Sequence, residues 1–170
     1  IGDAAGGFQF THVAGYHAGI VIRNALFRLP AKVDYSALPW VTYTDPELAH
    51  VGMTEDQARE KYGDIRVLRH SFAENDRAQA ERETDGMAKI VTTARGKIVG
   101  ASIVGPHAGE LLQSWILPIQ KKMKIGAVAG LIIPYPTLGE VNKRAAGSYY
   151  TPKLFSEKTK KIVRFLLKLG

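Results

Sequence analysis

At 170 residues and 45% apolar content the chain is long enough for one ordinary hydrophobic core with extensions, so one principal domain is expected. It holds no cysteine, which excludes disulfides, thiolate metal sites and a thiol nucleophile from this chain. The net charge of +7 is uneven, because residues 151–170 carry six Lys or Arg against Glu157 alone and residues 1–150 carry only +2. A basic tail on a nearly balanced body argues against nucleic acid as a partner.

In chain order, Ile1-Gly2-Asp3-Ala4-Ala5-Gly6-Gly7 reads as a strand end running into a glycine turn, followed by a helix over about residues 11–27 that stops before Pro30. Backbone amides at such a helix start favour negative charge on a ligand, although glycine-rich turns of this kind are more often plain punctuation. Pro30, Asp34, Ser36 and Pro39 mark a linker. Residues 40–44 alternate like a strand, Asp45-Pro46-Glu47-Leu48 reads as a short turn, and Thr54-Glu55-Asp56-Gln57 as the start of a helix reaching Tyr62. A strand is expected over 66–72, and a hairpin joins 86–93 to 97–104 across Ala94-Arg95-Gly96, where glycine accepts a positive φ.

Leu111, Trp115, Ile119 and Met123, with Leu112 and Ile116 beside them, form one apolar stripe on a helix predicted over 108–124, with a kink at Pro118. Lys121-Lys122-Met123-Lys124 is then a solvated helix end. Glu140 opens a further helix running to about Tyr149. Ser156 caps a basic amphipathic helix in which Lys158, Lys160, Lys161, Arg164 and Lys168 interleave with Ile162, Val163, Phe165, Leu166, Leu167 and Leu169. Three fates for residues 156–169 stay open: packing on this protein or a dimer mate, weak contact with a membrane surface, or another partner. His12 and His17 stand five apart and His50, His70 and His107 stand alone, so no metal site is expected. The elements imply an α+β fold, an antiparallel sheet with helices on one face.

Pro134-Tyr135-Pro136-Thr137-Leu138-Gly139-Glu140 resembles the His-Pro-Thr-x-x-Glu motif in the dimerisation (interface) domain of the flavin-dependent pyridine nucleotide-disulfide oxidoreductases, with Tyr135 in the place of the His. Thr44-Asp45-Pro46-Glu47 and Val51-Gly52-Met53-Thr54-Glu55, with Ala58 three residues on, also resemble that class. So does the glycine turn, where Gly2, Asp3, Thr11, His12, Ala14 and Gly19 fall in the register of a flavin-contacting segment. The resemblance runs through nearly all of residues 1–150.

It implies residues 1–35 as the end of a FAD-binding domain with its linker, 36–150 as the dimerisation domain, and 151–170 as an appended helix. By the same carry-over, Asp3 would bond the flavin's ribityl chain, and the amides near Thr11 and His12 would face its pyrimidine edge. Tyr135 and Glu140 would be lent to the partner subunit's active site in a homodimer. The parent enzyme would use FAD and NAD(P)H to reduce a disulfide or related small acceptor, whereas this stretch alone would be inert and retain no cofactor. A phenol with an ordinary pKa near 10 is a poor base at neutral pH, so the dithiol proton relay of the His-Glu pair does not transfer unchanged. Mercuric reductases are similar in carrying Tyr at the same place, where its hydroxyl donates a hydrogen bond or meets a soft cation.

Absence of a signal-like start, of an apolar run near the roughly 20 residues a bilayer span needs, and of an initiator Met leads to the expectation of a soluble, cytoplasmic piece of a longer protein. The alternative reading is a noncatalytic association module whose C-terminal helix docks on a membrane or partner.

Overall fold

The computed structural model describes residues 1–168 and divides into two compact units, Ile1–Tyr35 and a second beginning at Ser36. Leu169, assigned by sequence to the apolar stripe of the tail, and Gly170 lie outside the described residues.

In the first unit the expected strand at Ile1 is replaced by a 3-10 turn, Gly2–Ala5, followed by α1, Thr11–Ala25. Gly2, Gly6 and Gly7 all hold positive φ, which breaks an extended run, and a strand without a neighbour has no hydrogen-bond ladder to stabilise it. His17, buried on α1, fastens the turn to the end of the unit. Its Nδ1 accepts from the Gly2 N–H at 3.1 Å. A backbone amide can only donate, so the ring proton sits on Nε2, which donates to the Tyr35 hydroxyl at 2.6 Å.

The second unit is built on a five-stranded antiparallel sheet in the order β1-β2-β5-β4-β3. Its strands are β1, Pro39–Thr42; β2, Glu47–Gly52; β3, Ile65–Ser71; β4, Met87–Thr93; and β5, Ile98–Gly105. The sequence reading omitted β2 by extending the turn to Leu48. Glu47 and Leu48 already pair with Gly105 and Val104 of β5. Ala49, His50 and Val51 are all buried, so the strand lacks the in-out alternation that betrays a half-exposed one. The β4–β5 hairpin turns where expected, with Gly96 at φ 79°.

The larger core lies between the sheet and α4, Ala108–Gln120, α5, Gly126–Ala129, and α6, Glu140–Gly147, and is filled by Phe72, Ile90, Ile103, Leu112 and Trp115 among others. Trp115 is wholly buried and its indole N–H donates to Asn142 Oδ1 at 2.8 Å, while the Asn142 amide donates to the Leu111 carbonyl at 2.9 Å. The Trp115 indole N–H and the Asn142 side-chain amide are thereby paired, whereas the buried Thr92 Oγ1 has no hydrogen-bond partner among the described residues. The opposite face has a smaller cluster, Ala58, Val91 and Val99, beneath α2, Glu55–Tyr62. The principal helices thus share one face of the sheet and α2 adds cover on the other. Helix α2 starts at Thr54 with a reciprocal Thr54–Gln57 capping box, as its sequence predicts.

Pro118 falls in the last turn of α4, so the helix ends at Gln120 rather than continuing past a kink to Lys124. Lys122 turns the chain with φ 54°, and Met123 drops out of the apolar stripe, 37% exposed. Helix α3, Asp76–Glu81, is capped by Asn75, and the chain closes with α7, Thr151–Leu154, and α8, Glu157–Leu166. Among the described residues no helix is long and apolar enough to cross a membrane.

Candidate functional site

Hydrogen bonds hold the segment before α6 in place. Thr137 Oγ1 donates to the Pro134 carbonyl at 2.9 Å, the Glu140 N–H donates to the Thr137 carbonyl at 3.3 Å, and the Asn75 side-chain amide donates to that same carbonyl at 3.2 Å. Asn75 is buried and its Oδ1 also accepts from the Ala78 N–H at 3.0 Å, so one side chain caps α3 and anchors the loop to it. The Tyr135-Pro136 peptide is cis.

Tyr135 is 67% exposed, and its hydroxyl donates to Asp76 Oδ2 at 2.9 Å. That hydrogen bond, followed by the Asp76 charge and a smaller contribution from Glu140, holds the phenol above its ordinary value of 10.0, with Arg144 opposing. At neutral pH Tyr135 is therefore a protonated, oriented hydrogen-bond donor and not a base. Glu140 opens α6 as expected, with its side chain largely covered and 3.8 Å from Arg144 across one helical turn. The hydroxyl goes to Asp76, not to Glu140, and Glu140 reaches Tyr135 only through its charge. Asp76 was not singled out in the sequence, being 59 residues from Tyr135. The one available signal was local: Asn75-Asp76 is a helix start, which places a carboxylate in a first turn.

An open concavity of about 520 Å³ adjoins α6, lined in part by His70, Glu140, Lys143, Arg144 and Ser148. His70 Nε2 is buried without a hydrogen-bond partner among the described residues, and its Nδ1 lies 3.8 Å from Glu74.

In the first unit, Asp3 is exposed within the glycine turn, and Thr11 and His12 are exposed at the first two positions of α1. The residue preceding the helix is Phe10, which offers no side-chain cap, and the His12 ring stacks on it at 5.2 Å. Gly2 approaches α1 so closely that a Cβ there would come within 2.9 Å of the Ala14 side chain. A turn laid against an uncapped helix start, with an exposed carboxylate beside it, fits the hydroxyl and polar-edge chemistry of a flavin.

Residues 38–146 match the model of the pyridine nucleotide-disulphide oxidoreductase dimerisation domain. The chain belongs to that family. Among similar proteins, a dihydrolipoyl dehydrogenase of Bacillus subtilis is 39% identical over 147 residues, which is 86% of this chain and 31% of the relative. A mercuric reductase of Staphylococcus aureus is 38% identical over 146 residues, or 85% of this chain and 27% of the relative. The solved HOCl-induced flavoprotein disulfide reductase RclA of Escherichia coli superposes with a TM-score of 0.81 at 26% identity, covering 86% of this chain and 34% of that one. The chain spans about a third or less of the length of the curated relatives it matches. The family assignment accounts for the α+β fold.

Proposed function

We propose that the chain is the dimerisation domain, with the end of the FAD-binding domain in residues 1–35, of a FAD-dependent NAD(P)H:disulfide oxidoreductase-like enzyme. In this reading two copies pair, and each presents Tyr135 and Glu140 to its partner's active site. Bound in the parent, FAD would supply the redox chemistry between NAD(P)H and a disulfide or related small acceptor. Asp3 would bond the ribityl hydroxyls, and the amides at Thr11 and His12 would meet the polar edge of the ring system. Tyr135 would donate its hydroxyl hydrogen bond to the acceptor or to charge developing on sulfur, with Asp76 as the resting partner of that proton. Glu140 would fix the start of α6 and the local field. By itself the chain would be inert, and the location proposed for the parent is cytoplasmic.

The observation that carries this reading is Tyr135 itself, 67% exposed with its hydroxyl already oriented, standing directly before Pro136-Thr137 and five residues ahead of Glu140 in a chain of this family. The test is Tyr135→Phe in the full-length enzyme, followed in separate reductive and oxidative half-reactions. Flavin reduction by NAD(P)H should be unchanged and reoxidation by the acceptor slowed by roughly a hundred- to a thousandfold, the scale of one oriented donor. Unaltered reoxidation would remove Tyr135 from the chemistry.

A further inference from the structure

The family match ends at residue 146, so α7 and α8 lie outside it. Helix α8 is well formed at its start. Ser156 Oγ accepts from the Thr159 N–H and donates to the Lys153 carbonyl, which also receives the Thr159 hydroxyl at 2.8 Å. At 100° per residue, Ile162, Val163, Phe165 and Leu166 occupy one side together with Thr159, while Glu157, Lys161 and Arg164 occupy the other. Lys160 falls on one border between them, and Lys158 lies just inside the other, between Phe165 and Ile162.

Among the described residues that apolar side is left largely open to solvent. No residue of α8 is buried, and Ile162, Val163, Phe165 and Leu166 are 50%, 48%, 62% and 57% exposed. Leu154 and Phe155, at the end of α7, add 59% and 71% exposed side chains just before it. A patch of this extent on a soluble fold marks an interaction surface.

Charge says what covers it. The last twenty residues hold six Lys or Arg against one Glu, while residues 1–150 carry +2, so a second copy of this chain offers no net negative charge to receive the tail. An anionic lipid surface does. Lysines on the borders of an apolar face can lay their stems along acyl chains and keep their ammonium groups among lipid phosphates. At ten residues the helix is too short to span a bilayer and suited to lying in its surface.

We propose that α8, with Leu154 and Phe155, is an interfacial anchor that docks the parent enzyme on an anionic phospholipid surface. The proposal is independent of any catalytic role for Tyr135.

The experiment is flotation of the full-length protein with vesicles of phosphatidylcholine alone or mixed with phosphatidylglycerol, across a salt series, beside the double variant Phe165→Asp/Leu166→Asp. Both positions are exposed, so folding should survive, and circular dichroism and light scattering on the same samples check it. The parent protein should bind the mixed vesicles at least roughly tenfold more tightly than the neutral ones, and less tightly as salt rises. The double variant should lose that binding and keep its molar mass. Equal binding to both vesicle types, no binding, or binding retained by the double variant would overturn the anchor. A double variant that changes molar mass while the parent protein ignores vesicles would assign the face to a second copy instead.

Discussion

Tyr135 stands where the resembled motif carries a His, and the two side chains differ in proton chemistry. An imidazole there would be a base poised near neutral pH, whereas the phenol is kept protonated by the Asp76 hydrogen bond and by two nearby carboxylates. Removing that carboxylate must release the phenol, because the hydrogen bond and the Asp76 charge both favour its neutral form. Asp76→Asn is therefore expected to lower the Tyr135 pKa, seen as earlier growth of phenolate absorbance in an alkaline titration, with Tyr135→Phe subtracted as the blank. No change between parent protein and Asp76→Asn would show that the pair does not persist in solution.

Strand β2 is the element on which the sheet depends, since it sits between β1 and β5 and is buried on both faces. It carries His50 into that setting, with Nδ1 2.8 Å from the Ser102 hydroxyl and Nε2 donating to the Gly52 carbonyl at 3.1 Å. Burial holds His50 below its ordinary 6.5, the Gly52 hydrogen bond opposes this, and Lys89 adds to the lowering. The native state thus binds fewer protons than the unfolded chain between those two values. The stability that neutral His50 contributes is complete above 6.5 and is lost as pH falls from there through the lower folded value. Urea midpoints measured from pH 8 to pH 5 should fall, and His50→Gln should fall less steeply over that window. Equal slopes would show that other groups carry the acid sensitivity. The sheet is also intolerant at β5, where a Cβ on Gly100 would lie 1.9 Å from the Met53 carbonyl oxygen, so the chain leaving β2 passes across this strand only because residue 100 has no side chain.

At the scale of the whole molecule, the lone chain leaves Ile132 fully exposed and Leu131 48% exposed beside Tyr135, apolar surface that a second copy would remove from water. Light scattering over a concentration series should give a molar mass near twice 18.6 kDa. Covering one Ile contributes about 1.5–3 kcal/mol, so Ile132→Asp should weaken the dimer by roughly ten- to a hundredfold or more. A monomer at every concentration would overturn self-pairing by this chain.

Much of the second unit was legible because its signals are local. The Thr54–Gln57 capping box, the Gly96 hairpin, the stripe of α4 and the Ser156 cap each complete themselves within a few residues, and periodicity or end chemistry exposes them. Residues Ile1, Glu47 and Leu48 were misassigned for the opposite reason. Whether a short run becomes a strand depends on having a partner, and the partner of β2 lies some fifty residues away in β5.

The sequence by itself determined the α+β class, a phenol in place of a neutral-pH base at Tyr135 and the basic amphipathic character of the tail, all consequences of residue type and spacing. Only the tertiary structure decided that the Tyr135 proton points to Asp76, that Asn75 anchors its loop, that His50 is buried and that no described residue of α8 is. Hydrogen-bond partners and burial are set by which distant segments meet, and that is a property of the packed chain.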